Sequence, residues 1–265
     1  MTENQLVGIV PAAGKGTRLA PFPCAKELFP IGFQPHTVRG IIEQRPKVVS
    51  QYIIENMVEA GVNRILIIVG EGKQDVVEYY GDGSRFGCQI GYLFQERLDG
   101  MPSAINLAKP WIDDATVVFG MPDTIIRPTN AIKQLLEQHR DAEADLSLGL
   151  FPTDRPHKFG MVEIDNHCNV LSTIDKPQDS DLTHMWGTCC WSPAFTQLID
   201  AFLRSQNVVQ KETVLGDVFD EALKRKMRVK GYPCNTGRYI DIGTSDELNA
   251  ALLEFHRDNT VGNAA

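Results

Sequence analysis

None of the six cysteines (Cys24, Cys88, Cys168, Cys189, Cys190 and Cys234) falls in a C-x-x-C pair, so the sequence offers no zinc knuckle. The adjacent Cys189 and Cys190 could form only a strained disulfide. A chain of 265 residues needs no covalent staples to bury a core. All six thiols are therefore expected to be reduced, as in the cytoplasm. No run reaches the roughly 18 apolar residues of a membrane span, and the apolar stretch Leu6–Val10 is too short for a signal peptide. Positive charge is not in excess. Lys and Arg number 26 against 34 Asp and Glu, a net charge of −8, which excludes a generic nucleic-acid binder. The six histidines share no metal-ligand spacing, and there are no repeats, linkers or low-complexity segments.

What is present is ordinary for a globular protein: 43% hydrophobic and 23% charged residues. Short β-branched runs read as buried strands at Leu6–Val10, Ile65–Val69, Ile90–Phe94, Ala115–Phe119 and Leu146–Leu150. Between them, Pro46–Ala60 and Pro128–Arg140 carry apolar residues at helical spacing, and Gly61 ends the first. This alternation predicts an α/β fold with a doubly wound, mostly parallel mixed sheet and helices on both faces. Ligands in such sheets bind at the carboxyl ends of strands, where strand order switches. In the second half, Met161–Ile164 and Val170–Ile174 read as a small hairpin, and Pro193–Arg204, Glu212–Lys226 and Ser245–Arg257 as helices. Residues 33–45 lack periodicity and read as a surface loop or a subunit contact. The expectation is one continuous unit, with a ligand-binding half at about 1–125 and a second half at about 126–265 that completes a cleft.

The most informative stretch runs from Gly8 to Leu19. A strand ends in Ala12-Ala13-Gly14, followed by Lys15, Gly16, Thr17 and Arg18. Small residues allow a ligand close to the backbone, and free N–H groups can cradle phosphate. A dinucleotide fingerprint would need a third glycine where Leu19 stands, and an acidic residue where the second strand ends in Val69-Gly70. That disfavours a nicotinamide oxidoreductase. A P-loop would need Ser or Thr after Gly14-Lys15, where Gly16 stands.

The pattern Gly14-x-Gly16-Thr17-Arg18-Leu19, followed by Pro21 and then Lys26-Glu27-Leu28-Phe29-Pro30, resembles the sugar-phosphate nucleotidyltransferases. The resemblance extends over nearly the whole chain. Late in the sequence Tyr239-Ile240-Asp241-Ile242-Gly243-Thr244 resembles the family's W-x-D-x-G-T element, with Tyr239 in place of Trp. The resemblance implies the Rossmann-like, glycosyltransferase-A-like form of the α/β fold. It makes Ala12, Ala13, Gly14, Gly16 and Thr17 the turn around a triphosphate, and Arg18 and Lys26 its clamp. The span from Pro21 to Lys26 is shorter than usual. Asp123, just after the strand Ala115–Phe119, and Asp241 become the ligands of Mg²⁺, with Met121-Pro122 where the family commonly has Gly. Gln95 and Gly100 match the base-reading pair. A glutamine amide offers both a donor and an acceptor to uracil or thymine.

On the acceptor side, Phe159-Gly160-Met161-Val162-Glu163 resembles Y-G-x-V-E, and Asp175-Lys176-Pro177 resembles E-K-P. By position, Lys176 would hold the attacking phosphate, with Gly160, Glu163 and Asp175 near the sugar. Phe159 and Asp175 replace Tyr and Glu. Trp186-Gly187-Thr188 departs further and carries little weight. The resemblance thus implies transfer of a nucleoside monophosphate from an NTP, dTTP or UTP favoured, to a sugar 1-phosphate, with release of pyrophosphate. Arg18, Lys26, Asp123, Lys176 and Asp241 would be the catalytic residues. Its alternatives are cytidylyl or adenylyl transfer on the same fold, and a non-catalytic nucleotide or sugar-phosphate binder. Small-molecule substrates, no nucleic acid, no membrane and a cytoplasmic homo-oligomer complete the expectation. So does the lack of room for an added β-helix domain with acyltransferase or allosteric function.

Overall fold

The computed structural model describes residues 5–112, 114–206 and 213–262. Its first half contains β1 (Leu6–Pro11), β2 (Pro30–Val38), β3 (Ile41–Val48), α1 (Val49–Glu59), β4 (Arg64–Val69), α2 (Gln74–Tyr80) and β5 (Gln89–Phe94). There follow α3 (Met101–Asn106), α4 (Lys109–Ile112), β6 (Thr116–Gly120), β7 (Thr124–Arg127), α5 (Ala131–Asp141) and β8 (Leu146–Pro152). The rest comprises β9 (Gly160–Ile164), β10 (Val170–Asp175), β11 (His184–Trp191), α6 (Pro193–Ser205), α7 (Leu215–Lys224), β12 (Val229–Pro233), β13 (Arg238–Asp241) and α8 (Ser245–Gly262). Of the expected helix Glu212–Lys226, Glu212 lies outside the described residues.

The main sheet has the order β10-β9-β11-β6-β1-β4-β5, with β8 and β12 continuing from β11. Strands β6, β1, β4 and β5 are parallel, and β11 joins them antiparallel through β6. The chain moves outward from β1 to β4 and β5, then returns to lay β6 on the other side of β1. The carboxyl ends of β1 and β6 are thus side by side at the point where strand order switches.

Alternation along β1 and β6 sorts their side chains onto the two faces. Val7, Ile9, Val117 and Phe119 enter a core covered by α3, α6 and α7. Val10 and Val118 enter the opposite core, covered by α1 and α5. Helices on both faces of a mixed sheet are the doubly wound α/β arrangement expected from the sequence. A third, smaller core gathers Ile31, Val49, Ile125, Ile242, Ala251 and Phe255. It fastens β7 and β13, which pair antiparallel, against α8 and β2.

Residues 33–45 are not a loop. They belong to the antiparallel pair β2–β3, which turns at Arg39 and Gly40 with φ of 50° and 80°. Two successive positive φ values close a two-residue hairpin whose twist matches its strands. Pro46–Val48, expected inside the first helix, finish β3 instead. Pro46 lies in a two-stranded ribbon, where a missing N–H is tolerated.

Candidate active site

The turn after β1 sits at the switch point. Ala12 and Ala13 are buried, and the Ala12 N–H donates to the Ile68 carbonyl at 2.7 Å. Among the described residues, no hydrogen bond engages the amides of residues 13 to 18. Gly16 has φ of 64°, a conformation costly for other residues. Gly14, Thr17 and Arg18 are exposed. The stem of Lys26 lies along this turn, since a Cβ added at Gly16 would be 3.5 Å from Lys26 Cδ. The shortened span from Pro21 therefore still brings Lys26 back to the turn.

Asp123 follows β6, and the β7–β13 ribbon brings Asp241 to it. Asp241 is opposite Thr124 in the register, and the Ile242 N–H donates to the Asp123 carbonyl at 3.1 Å. Lys26 Nζ donates to Asp123 Oδ2 at 2.5 Å. The Gly243 N–H donates to Asp241 Oδ1 at 2.7 Å. Arg18 reaches the same place: a Cβ at Gly243 would be 3.0 Å from both Arg18 Nη2 and Asp241 Oδ1. Turn, two cations and two carboxylates thus meet, although Arg18 and Lys26, Asp123 and Asp241 are far apart in the sequence.

The electrostatics fit this crowding. Burial, then the negative charges of Asp123 and Glu247, push the Asp241 carboxyl up to about 6. Burial opposes the charge of Lys26, but Asp123, Glu27 and Asp241 together outweigh it and the ammonium is held above its usual range. Two close carboxylates that repel one another suit a hard divalent cation, which takes few protein ligands and fills its sphere with water and phosphate oxygens. No group of three or more His, Cys, Asp or Glu forms a fuller metal cage among the described residues.

Gln95 follows β5 at the same end of the sheet. It is buried, its N–H donates to the Val69 carbonyl at 2.8 Å, and Nε2 contacts Asp99 Oδ1 at 3.4 Å. Gly100, at φ 112°, precedes α3. On the far side, Asp175 pairs with Gly160 across the β9–β10 hairpin, and the Lys176 N–H donates to the Phe159 carbonyl at 3.0 Å. Lys176 is exposed and holds φ of 48°, a strained setting of a kind that gathers at functional sites. Glu163 is exposed, lies further along β9, and accepts a hydrogen bond from Ser172 Oγ at 2.8 Å. Among the described residues, no hydrogen bond or ion pair joins Glu163, Asp175 or Lys176 to the aspartate pair.

Three features escaped the sequence reading. Trp186, given little weight there, packs on Gly160: a Cβ at Gly160 would be 2.4 Å from Trp186 Nε1, so only glycine fits. Glu27 and Lys73 form a buried ion pair at 2.6 Å, and Asp75 Oδ2 accepts the Ala25 N–H at 2.8 Å. Together they pin the turn that presents Lys26. Lys158 and Glu247 form a further pair at 2.9 Å. No local motif marks these partners, because each pair is distant in sequence.

The family model described as nucleotidyl transferase matches residues 7–258. The chain is 26% identical to the low-salt glycan biosynthesis nucleotidyltransferase Agl11 of Haloferax volcanii, over 97% of this chain and 70% of that protein. It is 27% identical to a glucose-1-phosphate thymidylyltransferase of Streptomyces griseus, over 93% of this chain and 66% of that protein. The chain therefore spans about two thirds of the length of these relatives. A solved UDP-glucose pyrophosphorylase, complexed with UDP-glucose, superposes with a TM-score of 0.78 at 18% identity. The match covers 96% of this chain and 99% of that one, and the shared fold is what it establishes.

Proposed function

We propose, for a chain that belongs to the nucleotidyl transferase family, that it transfers a nucleoside monophosphate from an NTP to a sugar 1-phosphate. An oxygen of the sugar phosphate bonds to the α-phosphorus, the bond to the β-phosphate oxygen breaks, and pyrophosphate leaves. One observation carries this reading: the β7–β13 ribbon sets Asp241 beside Asp123, where Lys26 and Arg18 converge under the glycine turn.

Each side chain then has a task that its surroundings allow. The amides of residues 13–18 receive triphosphate oxygens, as free N–H groups do in such turns. Arg18 and Lys26 balance the charge that grows on departing pyrophosphate, where fixed cations act without reorganisation. Lys176 holds the acceptor phosphate, and Gly160, with Trp186 packed on it, lies against the sugar. Asp175 and Glu163 lie at the acceptor side. A phosphate dianion needs no general base, so positioning and electrostatics supply the acceleration. Asp123 and Asp241 would hold Mg²⁺. When bound, that ion polarises the α-phosphate and offsets its charge. Gln95, supported by Gly100, favours the edge of uracil or thymine, and the named thymidylyltransferase relative supports a pyrimidine.

In this reading residues of about 1–125 serve the nucleotide and about 126–265 the acceptor. The unbonded thiols support a cytoplasmic setting. The exposed hairpin residues Phe33, Ile41 and Ile42 support a homo-oligomer.

The test is a matrix of NTPs against sugar 1-phosphates, read by pyrophosphate release. Turnover is expected with dTTP or UTP, and Asp123→Ala should reduce it by about 10³-fold or more. An Asp123→Ala protein with full turnover removes the assignment. Specific nucleotide binding without any turnover would leave a non-catalytic binder.

A further inference from the structure

The ion pair between Lys158 and Glu247 joins two parts of the site that the chain itself keeps far apart. Lys158 ends the short turn Pro156–Lys158 and is followed directly by Phe159 and Gly160, the floor of the acceptor side. Glu247 lies in the first turn of α8, just after the segment that carries Asp241. Lys158 Nζ donates to Glu247 Oε1 at 2.9 Å, and the Glu247 side chain is only 5% exposed. Its other oxygen, Oε2, accepts from Thr244 Oγ1 at 2.8 Å. The Glu247 N–H in turn reaches Thr244 Oγ1 at 3.4 Å, and the neighbouring Gly243 N–H holds Asp241. A continuous line of contacts thus runs from the acceptor floor to the carboxylate pair. A second tie runs beside it, where the Phe159 ring meets Tyr239 edge-on at 6.0 Å.

This arrangement is a poor device for stability alone. Glu247 is buried but Lys158 only half-buried, and such an ion pair contributes little once desolvation is counted. Here it also adds a third negative charge next to Asp123 and Asp241, which opposes ionisation of Asp241. What the pair does supply is a fixed distance. Phosphoryl chemistry depends on holding nucleophile and electrophile in line, and the two groups lie on different segments of this protein.

We propose that Lys158 and Glu247 are positioning residues for the acceptor. Their ion pair sets the separation between the Phe159-Gly160 floor and the Asp123–Asp241 seat. This inference rests on the nucleotidyl-transfer reading above.

The experiment compares wild type with Lys158→Met, Lys158→Arg, Glu247→Gln and the double variant Lys158→Met/Glu247→Gln. Steady-state kinetics are measured separately for NTP and acceptor, with thermal melts alongside. Glu247→Gln keeps the shape and the Thr244 contact while removing the charge, so it tests the pair even if Lys158→Met fails to fold. Loss of the pair is expected to lower kcat/KM for the acceptor by about 10- to 100-fold, the scale of an ångström-sized misplacement. The NTP KM should stay within about twofold, Lys158→Arg should retain most activity, and the double variant should be no worse than the worse single one, as coupled partners require. Equal losses for both substrates, or no loss in folded Glu247→Gln, would overturn the proposal. Wild-type protein that turns over no NTP–acceptor pair sinks the underlying reading instead.

Discussion

Asp241 is held where its charge is least comfortable, buried, against Asp123 and within reach of Glu247. Its carboxyl rises to about 6 in the folded protein, against roughly 3.9 in an unfolded chain. Between those two values the folded state keeps a proton that the unfolded chain has released. Stability from this group is therefore greatest at low pH and declines as pH rises through about 6. Asp241→Asn removes the cost. In melts without added nucleotide or metal, the variant should exceed wild type by roughly 2–6 °C at pH 8. That advantage should shrink below pH 6 and vanish near pH 4, while pyrophosphate release is lost. A variant no more stable than wild type at pH 8 would show that burial and the neighbouring charges do not penalise the Asp241 carboxylate. Greater stability with lost turnover is the usual mark of a site selected for chemistry.

Among the elements, the β7–β13 ribbon matters most, because Asp123 directly precedes one strand and Asp241 ends the other. It is short, and its hold on the body includes Asn56 of α1, buried, whose Nδ2 donates to the Ile126 carbonyl at 3.2 Å. Asn56→Ala leaves that carbonyl without its donor at a cost of about 1–3 kcal/mol. A denaturant melt should show this loss, together with a fall in kcat from a loosened Asp123. Unchanged stability would mean that the ribbon is held by its side chains alone.

The elements also show what could be read from the sequence. Buried parallel strands announced themselves, since Ile65–Val69 and Leu6–Val10 are apolar throughout. The β2–β3 hairpin did not. Gln34, His36 and Thr37 place polar groups along it, Pro35 and Pro46 suggest interruption, and Arg39-Gly40 is not a common hairpin turn. The glycine turn was legible because its chemistry is local. Asp123 and Asp241 could be paired only through resemblance, and Lys158–Glu247, Glu27–Lys73 and Trp186–Gly160 carry no local signal at all.

At the scale of the whole molecule, the third core couples the site to the end of the described chain. Ala251 and Phe255 of α8 pack with Ile125 and Ile242, the residues that flank the two aspartates. Truncation after Thr244 exposes these side chains and removes Glu247. The doubly wound body keeps both of its larger cores, which contain no residue of α8. The truncated protein is expected to retain most of its far-UV circular dichroism while losing pyrophosphate release. Full turnover without α8 would separate the third core from the site.

The two halves of the carboxylate seat, Asp123 and Asp241, are supplied far apart in the polypeptide. During synthesis the glycine turn, Lys26 and Asp123 leave the ribosome long before Asp241 and the helix that seats it. A nascent chain can therefore fold its parallel strands while remaining chemically inert. In the proposed reading, turnover waits until Asp241 and the helix behind it have emerged, and a product terminated before them would carry the turn but none of the activity.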